Sequence, residues 1–263
     1  MELKKEKRIV IIILVVLLTM IAGLTVIAMI LRNRDTAGTE TETNPVETAD
    51  PEGTLAAPQY WVNNIELPSA GGIEIVHSHI PWDGSRRPGE VREIRYLTIH
   101  ETDNRSSSAD SSAHNSLLVN DTSDITGWHY TVDDHSIYHN IPDNEISWNA
   151  GDNRTSPGGN LNGIGIEMCV NLSNDFDRTL KNTASLAAEL LVAYDLSVED
   201  VHLHADFMDK VCPHRLLSEG RVPEFYEMIR QAYIQKAKEK LSSQILSLPA
   251  EAAENTAENT AEE

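Results

Sequence analysis

Two residues near position 210 have the types and the spacing of metal ligands. His204 and Cys212 lie in the segment VHLHADFMDKVCP, residues 201–213, and are eight residues apart. That spacing is too long for one face of a helix and suits a strand end followed by a loop. Neutral imidazole and thiolate are preferred zinc ligands, and a catalytic site adds a third protein ligand and leaves one position for water. His100, which ends the apolar run YLTIH, is the best candidate for the third ligand.

The other polar residues in and near this segment have less specific expected roles. His202 shares a strand face with His204 and could compete as a ligand, but the eight-residue spacing to Cys212 selects His204. Asp206 suits a residue that orients a ligand or closes the loop. His214 is expected near the site or on the surface. Three further histidines are expected on the surface of a helix or a hairpin: His114, His135 and His139.

The chain as a whole is strongly acidic. Its 263 residues carry a formal net charge of −20, and the first 34 residues carry +4, so the remainder carries −24. Such a chain is not expected to bind nucleic acid or another anionic surface by charge. Its two cysteines, Cys169 and Cys212, could form one disulfide in an exported protein. They could equally be a buried thiol and a metal ligand, and the motif around Cys212 favours that interpretation.

An uncharged apolar run, residues 9–31, predicts a transmembrane helix. Its 23 residues would span roughly 34 Å as a helix, which is enough for a bilayer core. Most of the flanking basic residues precede the run, and positive flanks stay inside. Residues 1–8 are therefore expected in the cytoplasm and the rest of the chain outside. The alternative is a cleaved signal peptide, with a poor cleavage site at residues 26–28 and a secreted product.

Composition divides the rest of the chain into three parts. Residues 32–57 are rich in Thr, Glu and Pro, and residues 243–263 end in AENTAENTAEE. Neither has enough large apolar side chains to fold, so both are predicted to be disordered and acidic. Residues 58–242 are predicted to form one globular domain.

Strand and helix patterns alternate within that domain. The segment 71–94 is interpreted as a lead-in with a turn at residues 88–89. YLTIH and GIGIEMCVN predict buried strands, and GWHYTVDDHSIYHNIP predicts a hairpin. Helices are predicted for SSADSSAHNSLLVN, for residues 179–194 and from Pro223 onward, with a helical turn at residues 197–200. The alternation predicts an α/β fold with a mixed central sheet flanked by helices.

Six segments cover most of residues 80–215: IPWDGSRRPGE, YLTIHETDN, GWHYTVDD, SWNAGDN, NGIGIEMCVN and HLHADFMDKVCP. In this order they resemble the segments of the zinc-dependent N-acetylmuramoyl-L-alanine amidases of the phage-lysozyme and peptidoglycan-recognition-protein superfamily, the amidase-2 group. The likeness is strongest to the bacterial and prophage autolysin branch. The resemblance implies a hydrolase that cuts the amide between N-acetylmuramic acid and L-alanine in peptidoglycan, with Zn²⁺ as cofactor.

Residue by residue, the resemblance implies that His100, His204 and Cys212 bind zinc. It also implies that Lys210 stabilises the developing oxyanion and that Glu167, in the IGIE strand, is the general base.

Two positions depart from the family pattern. Trp128 stands where the phage-lysozyme branch has a tyrosine, which leaves Glu167 as the only matched base. Asn149 replaces the histidine of the family's W-H-A-G, which is not a matched zinc ligand, so the change concerns a substrate contact. The residues predicted to bind substrate are Asn104, Trp128, His129, Trp148 and Asn149, although both tryptophans could equally belong to the core.

Three functions remain open on this evidence. The leading hypothesis is a membrane-anchored amidase whose partners are peptidoglycan and the cell membrane. A non-catalytic muropeptide-binding module is disfavoured by Cys212 and Glu167, because non-catalytic members of the superfamily lack the zinc cysteine. A zinc peptidase acting on stem peptides would usually carry an HExxH helix, and the sequence has no such motif.

Overall fold

A computed structural model of the protein describes residues 64–82 and 84–246. The predicted transmembrane helix at residues 9–31 and the linker at residues 32–57 lie outside the described residues, as does most of the predicted tail. Within the described ranges, no helix is both long and apolar enough to cross a membrane.

The centre of the structure is a seven-stranded mixed sheet. Its strands are β1 Ser69–Ala70, β2 Ile73–His77, β3 Tyr96–Glu101, β4 Tyr130–Val132, β5 Ile137–His139, β6 Gly163–Met168 and β7 Val201–Leu203. They lie in the order β1-β2-β5-β4-β6-β3-β7. The pairs β1–β2 and β4–β5 are antiparallel, and the other four neighbouring pairs are parallel. The predicted hairpin is the β4–β5 pair.

Within the described residues, five helices accompany the sheet, which confirms the predicted α/β architecture. They are α1 Ser111–Asn120, α2 Gly159–Asn162, α3 Phe176–Ala193, α4 His214–Ser218 and α5 Val222–Leu246, with 3₁₀ turns at Val198–Asp200 and His204–Asp206. The helix starts follow from local chemistry, since Asp110 and Asp175 accept hydrogen bonds from the first backbone N–H groups of α1 and α3. Helix α5 extends to Leu246, beyond the predicted domain boundary at residue 242.

One face of the sheet is apolar and forms the core with α3 and α5. Alternate residues of β6, namely Ile164, Ile166 and Met168, are fully buried on this face together with Phe225 of α5. Because successive side chains of a strand point to opposite faces, Glu167 lies on the other face. The alternation therefore separates the core from a polar face.

The segment 71–94 is more regular than the sequence indicated. Residues Ile73–His77 form β2, which pairs in parallel with β5, with Ile75 opposite Ile137. The interpretation of residues 73–77 as part of a lead-in was therefore wrong. The strand was missed because its partner lies some sixty residues further along the chain. The turn predicted at residues 88–89 lies slightly earlier, where the N–H of Arg87 donates to the carbonyl of Gly84 across 3.0 Å, and Gly89 has a φ of 68°.

Candidate active site

The three predicted metal ligands come together on the polar face of the sheet. His100 is in β3, His204 begins the turn after the neighbouring strand β7, and Cys212 lies just before α4. The Nδ1 atoms of the two histidines are 2.9 Å apart, and Cys212 Sγ is 4.0 Å from His100 Nδ1. One ligand atom of each of the three lies within 4.8 Å of the others, and all three residues are buried. Tetrahedral zinc with its usual bond lengths would separate such atoms by about 3.3–3.6 Å.

Local hydrogen bonds fix the loop that carries two of these residues. The backbone N–H of Leu203 donates to the Asp206 carboxylate across 2.8 Å, and the N–H of Ala205 donates to the carbonyl of Cys212 across 3.0 Å. Asp206 thus closes the turn. His202, the competing histidine, lies edge-on to the ring of Tyr96, with ring centroids 4.8 Å apart. It is not part of the three-residue cluster.

Burial sets the protonation of the candidate ligands. The pKa of His100 is held well below its usual value by burial, and secondarily by His204. Burial and then Lys210 lower the pKa of His204 to about 4. Burial raises the pKa of Cys212 to about 12, so this thiol gives up its proton readily only beside a cation. Two neutral imidazoles and a buried thiol form a donor set that fits zinc.

Asn149, which was predicted to contact substrate, instead forms a hydrogen bond with a candidate metal ligand. Its Oδ1 lies 2.9 Å from His100 Nε2, and its Nδ2 donates to the Ser147 hydroxyl across 2.5 Å. Because the amide nitrogen is used by Ser147, the amide oxygen faces the histidine and accepts the Nε2 proton. The lone pair of His100 Nδ1 is then directed toward His204 and Cys212. Asn149 therefore orients a candidate ligand, a role that sequence reasoning missed.

Glu167 lies beside the ligands. It is in direct register with His100 on the neighbouring strand, and its Oε2 is buried without a hydrogen-bond partner among the described residues. Burial raises the pKa of Glu167 to about 8, against the opposing effect of the Lys210 ammonium. The Lys210 side chain is exposed. The arrangement places a cation, and a carboxyl group that can gain or lose a proton near neutral pH, next to a possible metal centre.

Two of the predicted substrate contacts are buried instead. Trp128 packs with Ile80, Leu118 and Ile141, and its Nε1 donates to Thr131 Oγ1 across 2.7 Å.

His129 is fully buried. It is linked to the site only indirectly, because its Nδ1 lies 3.2 Å from the Ser147 hydroxyl that also binds Asn149. For Trp128 and His129 the structure does not support a substrate contact, because His129 has no exposed surface and Trp128 is only 8% exposed.

The other two predicted contacts remain accessible. Asn104 is exposed, and its Oδ1 accepts from the N–H of Ser106. Trp148 is half-buried, with the Arg154 guanidinium 5.8 Å from its ring centroid.

Two of the histidines that were expected on the surface are buried. His114 lies 4.0 Å from the sulfur of Cys169, and His139 lies in the sheet with no exposed surface. His135 is exposed at the hairpin turn, as predicted. Cys169 and Cys212 are both free thiols, so the structure contains no disulfide between them.

Comparisons with known proteins agree with this fold. Residues 90–215 match the sequence profile of the N-acetylmuramoyl-L-alanine amidases. The amidase XlyA of Bacillus subtilis is 39% identical over 146 residues, which are 55% of this chain and 48% of that protein. The amidase CwlH of the same organism is 36% identical over 55% of this chain and 57% of its own length. The chain spans about half the length of these curated relatives.

Solved structures extend the likeness to three dimensions. The catalytic domain of XlyA superimposes with a TM-score of 0.57 and 36% identity, over 60% of this chain and 99% of that domain. The structure of PlyL gives a TM-score of 0.55 and 25% identity, over 60% of this chain and 97% of that one. The chain belongs to the N-acetylmuramoyl-L-alanine amidase family.

Proposed function

We propose that this protein hydrolyses the amide between N-acetylmuramic acid and L-alanine in peptidoglycan, with a zinc ion held by His100, His204 and Cys212. The observation that carries the proposal is the convergence of the three ligand atoms within 4.8 Å of one another. The unpartnered carboxylate oxygen of Glu167 on the adjoining strand supports it. Relatives named for this activity support the choice of substrate.

The chain's own residues divide the chemistry among them. When bound, zinc supplies Lewis acidity and lowers the pKa of water. Glu167 accepts a proton from the attacking water and delivers it to the leaving amine nitrogen. Lys210 places a positive charge where the carbonyl oxygen becomes negative. Asn149 holds the ring of His100 in the orientation and tautomer that a metal ligand needs.

Mass spectrometry of digested peptidoglycan tests the reaction. Full-length protein in detergent is incubated with purified walls, with and without a chelator. We expect released stem peptides that begin with a free L-alanine amine, and no release from the chelated sample. New amines elsewhere in the stem would identify a peptidase, and wall binding without new amines would identify a binding module. Full activity in a zinc-free sample would contradict the mechanism.

We also propose that residues 9–31 anchor the protein in the cell membrane with the amidase domain outside. The support is the sequence alone, through its uncharged apolar run and N-terminal basic excess. Protease added to wall-free intact cells should digest residues 35–263 and spare the N-terminus. Protection of the C-terminal tail would contradict this orientation.

A further inference from the structure

A second cluster of metal-ligand side chains lies away from the candidate active site. His77 is the last residue of β2, His139 is the last residue of β5, and the two are in direct register. His79 follows two residues after His77. One ring nitrogen of each histidine lies within 4.8 Å of the others.

The separations within this cluster are those of ligands around one ion. His139 Nδ1 lies 3.0 Å from His77 Nδ1 and 3.3 Å from His79 Nε2. Nitrogen ligands about 2.05 Å from a tetrahedral zinc ion would be about 3.3 Å apart. The three rings are also inclined to one another by 72–89°, so they do not stack.

The outer nitrogens of two of these rings face acceptors. His139 Nε2 lies 3.2 Å from a carboxylate oxygen of Asp143, and both residues are fully buried. His77 Nε2 lies 3.1 Å from the carbonyl oxygen of Leu67. Metal-binding histidines characteristically direct their second ring nitrogen to a carboxylate or a backbone carbonyl in this way.

These contacts determine where the ring protons are. A neutral imidazole has one N–H. The Leu67 carbonyl favours its position on Nε2 of His77. The negative charge of Asp143 favours Nε2 of His139, although this 3.2 Å approach does not have hydrogen-bond geometry. Their Nδ1 lone pairs therefore face each other across 3.0 Å. Only a cation between them, either a proton or a metal ion, makes that contact favourable. A metal ion in that position would also engage His79, whose Nε2 lies 3.3 Å from His139 Nδ1.

We propose that His77, His79 and His139 bind a divalent transition-metal ion, with Zn²⁺ as the leading candidate. Imidazole nitrogen is a preferred ligand of Zn²⁺, Ni²⁺ and Cu²⁺. Three protein ligands leave a fourth position for water. The exposed ring of His77 provides a path for the ion from solvent.

The sheet register separates this second site from the active site. His139 pairs with Tyr130, and Tyr130 pairs with Ile166, so all three point to the core face. Glu167 follows Ile166 and pairs with His100, so these two point to the opposite face. Strands β5 and β3, which carry His139 and His100, are also three positions apart in the sheet. This corresponds to about 14 Å.

The position of the site indicates a structural role. A metal ion there would connect the end of β2, the first long strand of the domain, to the end of the β4–β5 hairpin. The Asp143 that faces His139 also accepts a hydrogen bond from the Tyr194 hydroxyl, and its backbone N–H donates to the side-chain oxygen of Asn64 across 2.8 Å. The ion would therefore fix the first described residues of the domain to its sheet and to helix α3.

The number of zinc ions bound per molecule of full-length protein tests the proposal. The protein is stripped with a chelator, reloaded with Zn²⁺, dialysed and analysed by plasma mass spectrometry. We expect about two zinc equivalents in the wild type, and about one in His77→Gln/His79→Gln. The variant His204→Ala/Cys212→Ala, which removes the active-site ligands, should also keep about one. The exposed His135 lies in another acidic and histidine cluster, and His135→Gln is the matched control that should keep both equivalents.

The number of zinc ions bound by each variant tests the second metal site separately from the proposed amidase mechanism. Loss of one equivalent in His77→Gln/His79→Gln supports the second site whether or not the active site is loaded. Equal zinc in that variant and the wild type would overturn the proposal, as would loss of the equivalent in His135→Gln. A wild type that binds one equivalent and loses it in His204→Ala/Cys212→Ala would also overturn it.

A spectroscopic measurement covers the case in which a variant folds poorly. Co²⁺ bound by three imidazoles gives visible ligand-field bands without the sulfur-to-cobalt charge transfer expected at Cys212. His204→Ala/Cys212→Ala loaded with Co²⁺ should show these bands, and its melting temperature should rise with added Zn²⁺. In the wild type, a cobalt spectrum that saturates at one thiolate-containing equivalent would overturn the proposal without any variant.

Discussion

His100 donates its Nε2 proton to the side-chain oxygen of Asn149 across 2.9 Å. The position of Asn149 is itself fixed, because its amide nitrogen donates to Ser147 and its backbone N–H donates to the side chain of Asn160 across 2.8 Å. One asparagine therefore determines which nitrogen of His100 is free to bind a metal.

Removing the side-chain oxygen of Asn149 should weaken zinc binding although no metal ligand is replaced. Asn149→Leu keeps the approximate volume but leaves the His100 Nε2 proton without a partner. We expect zinc affinity to fall by about 10–100-fold, as for other partners of metal-binding histidines. Competition with a chromophoric chelator measures the affinity.

The matched control for this substitution is Asn149→His, which restores the residue of the family pattern. An imidazole nitrogen at this position can again accept the proton of His100, so zinc affinity should stay within a few-fold of the wild type. Equal affinity in Asn149→Leu and the wild type would show that Asn149 does not orient the ligand.

The parts of the site that the sequence predicted depend on local patterns. The apolar runs before His100 and His204 indicated strands, and side chains at adjoining strand ends lie together in a sheet. The alternation in β6 indicated that Glu167 would lie opposite the apolar residues. Each of these inferences needed only a few neighbouring residues.

The parts that could not be predicted depend on contacts between distant segments. The role of Asn149 arises from a hydrogen bond to a residue 49 positions away. Likewise, β2 was not recognised because its pairing partner is β5, and its short alternation did not identify a strand by itself. The burial of Trp128 and His129 depends on distant residues that no local pattern specifies, since Trp128 packs on Ile80 and Leu118 and His129 lies against Ser147.

Replacement of Glu167 by glutamine tests the general base. Glu167→Gln keeps the shape and hydrogen-bonding capacity of the side chain but cannot accept the proton from water. The turnover of peptidoglycan should fall by about 100-fold or more while the zinc content stays unchanged. Glu74→Gln, on the exposed part of β2, removes a carboxylate from the same sheet and should leave turnover unchanged. Near-normal turnover in Glu167→Gln would place the base elsewhere.

The two free cysteines should respond differently to substitution. Cys212→Ser should lose the active-site zinc and wall lysis, because serine is a poor substitute for a thiolate ligand. Cys169→Ser should keep both and lose about 1 kcal/mol of stability, since it introduces a hydroxyl at a fully buried position. Metal analysis and urea denaturation of the two variants measure the difference. Equal loss of zinc from both variants would contradict the assignment of Cys212 as the only cysteine ligand.

The buried ion pair between Arg87 and Glu145 gives a prediction about stability. The two side chains form a bidentate pair with distances of 2.6 and 2.7 Å, and each is only 3% exposed. Arg87 also donates to the carbonyl of Ile80 across 2.9 Å. Glu145→Gln removes the carboxylate from this buried bidentate pair, so we expect a loss of about 3 kcal/mol or more in the free energy of unfolding.

The exposed pair between Arg154 and Glu90 provides the matched control. It is also bidentate, with distances of 2.6 and 3.0 Å, but its side chains are 54% and 51% exposed. Water solvates these charges when the pair is broken, so Glu90→Gln should cost less than about 1 kcal/mol. Urea denaturation of both variants gives the comparison directly. Similar losses from Glu145→Gln and Glu90→Gln would show that Arg87 recovers solvent or another partner, and that its burial does not determine the cost.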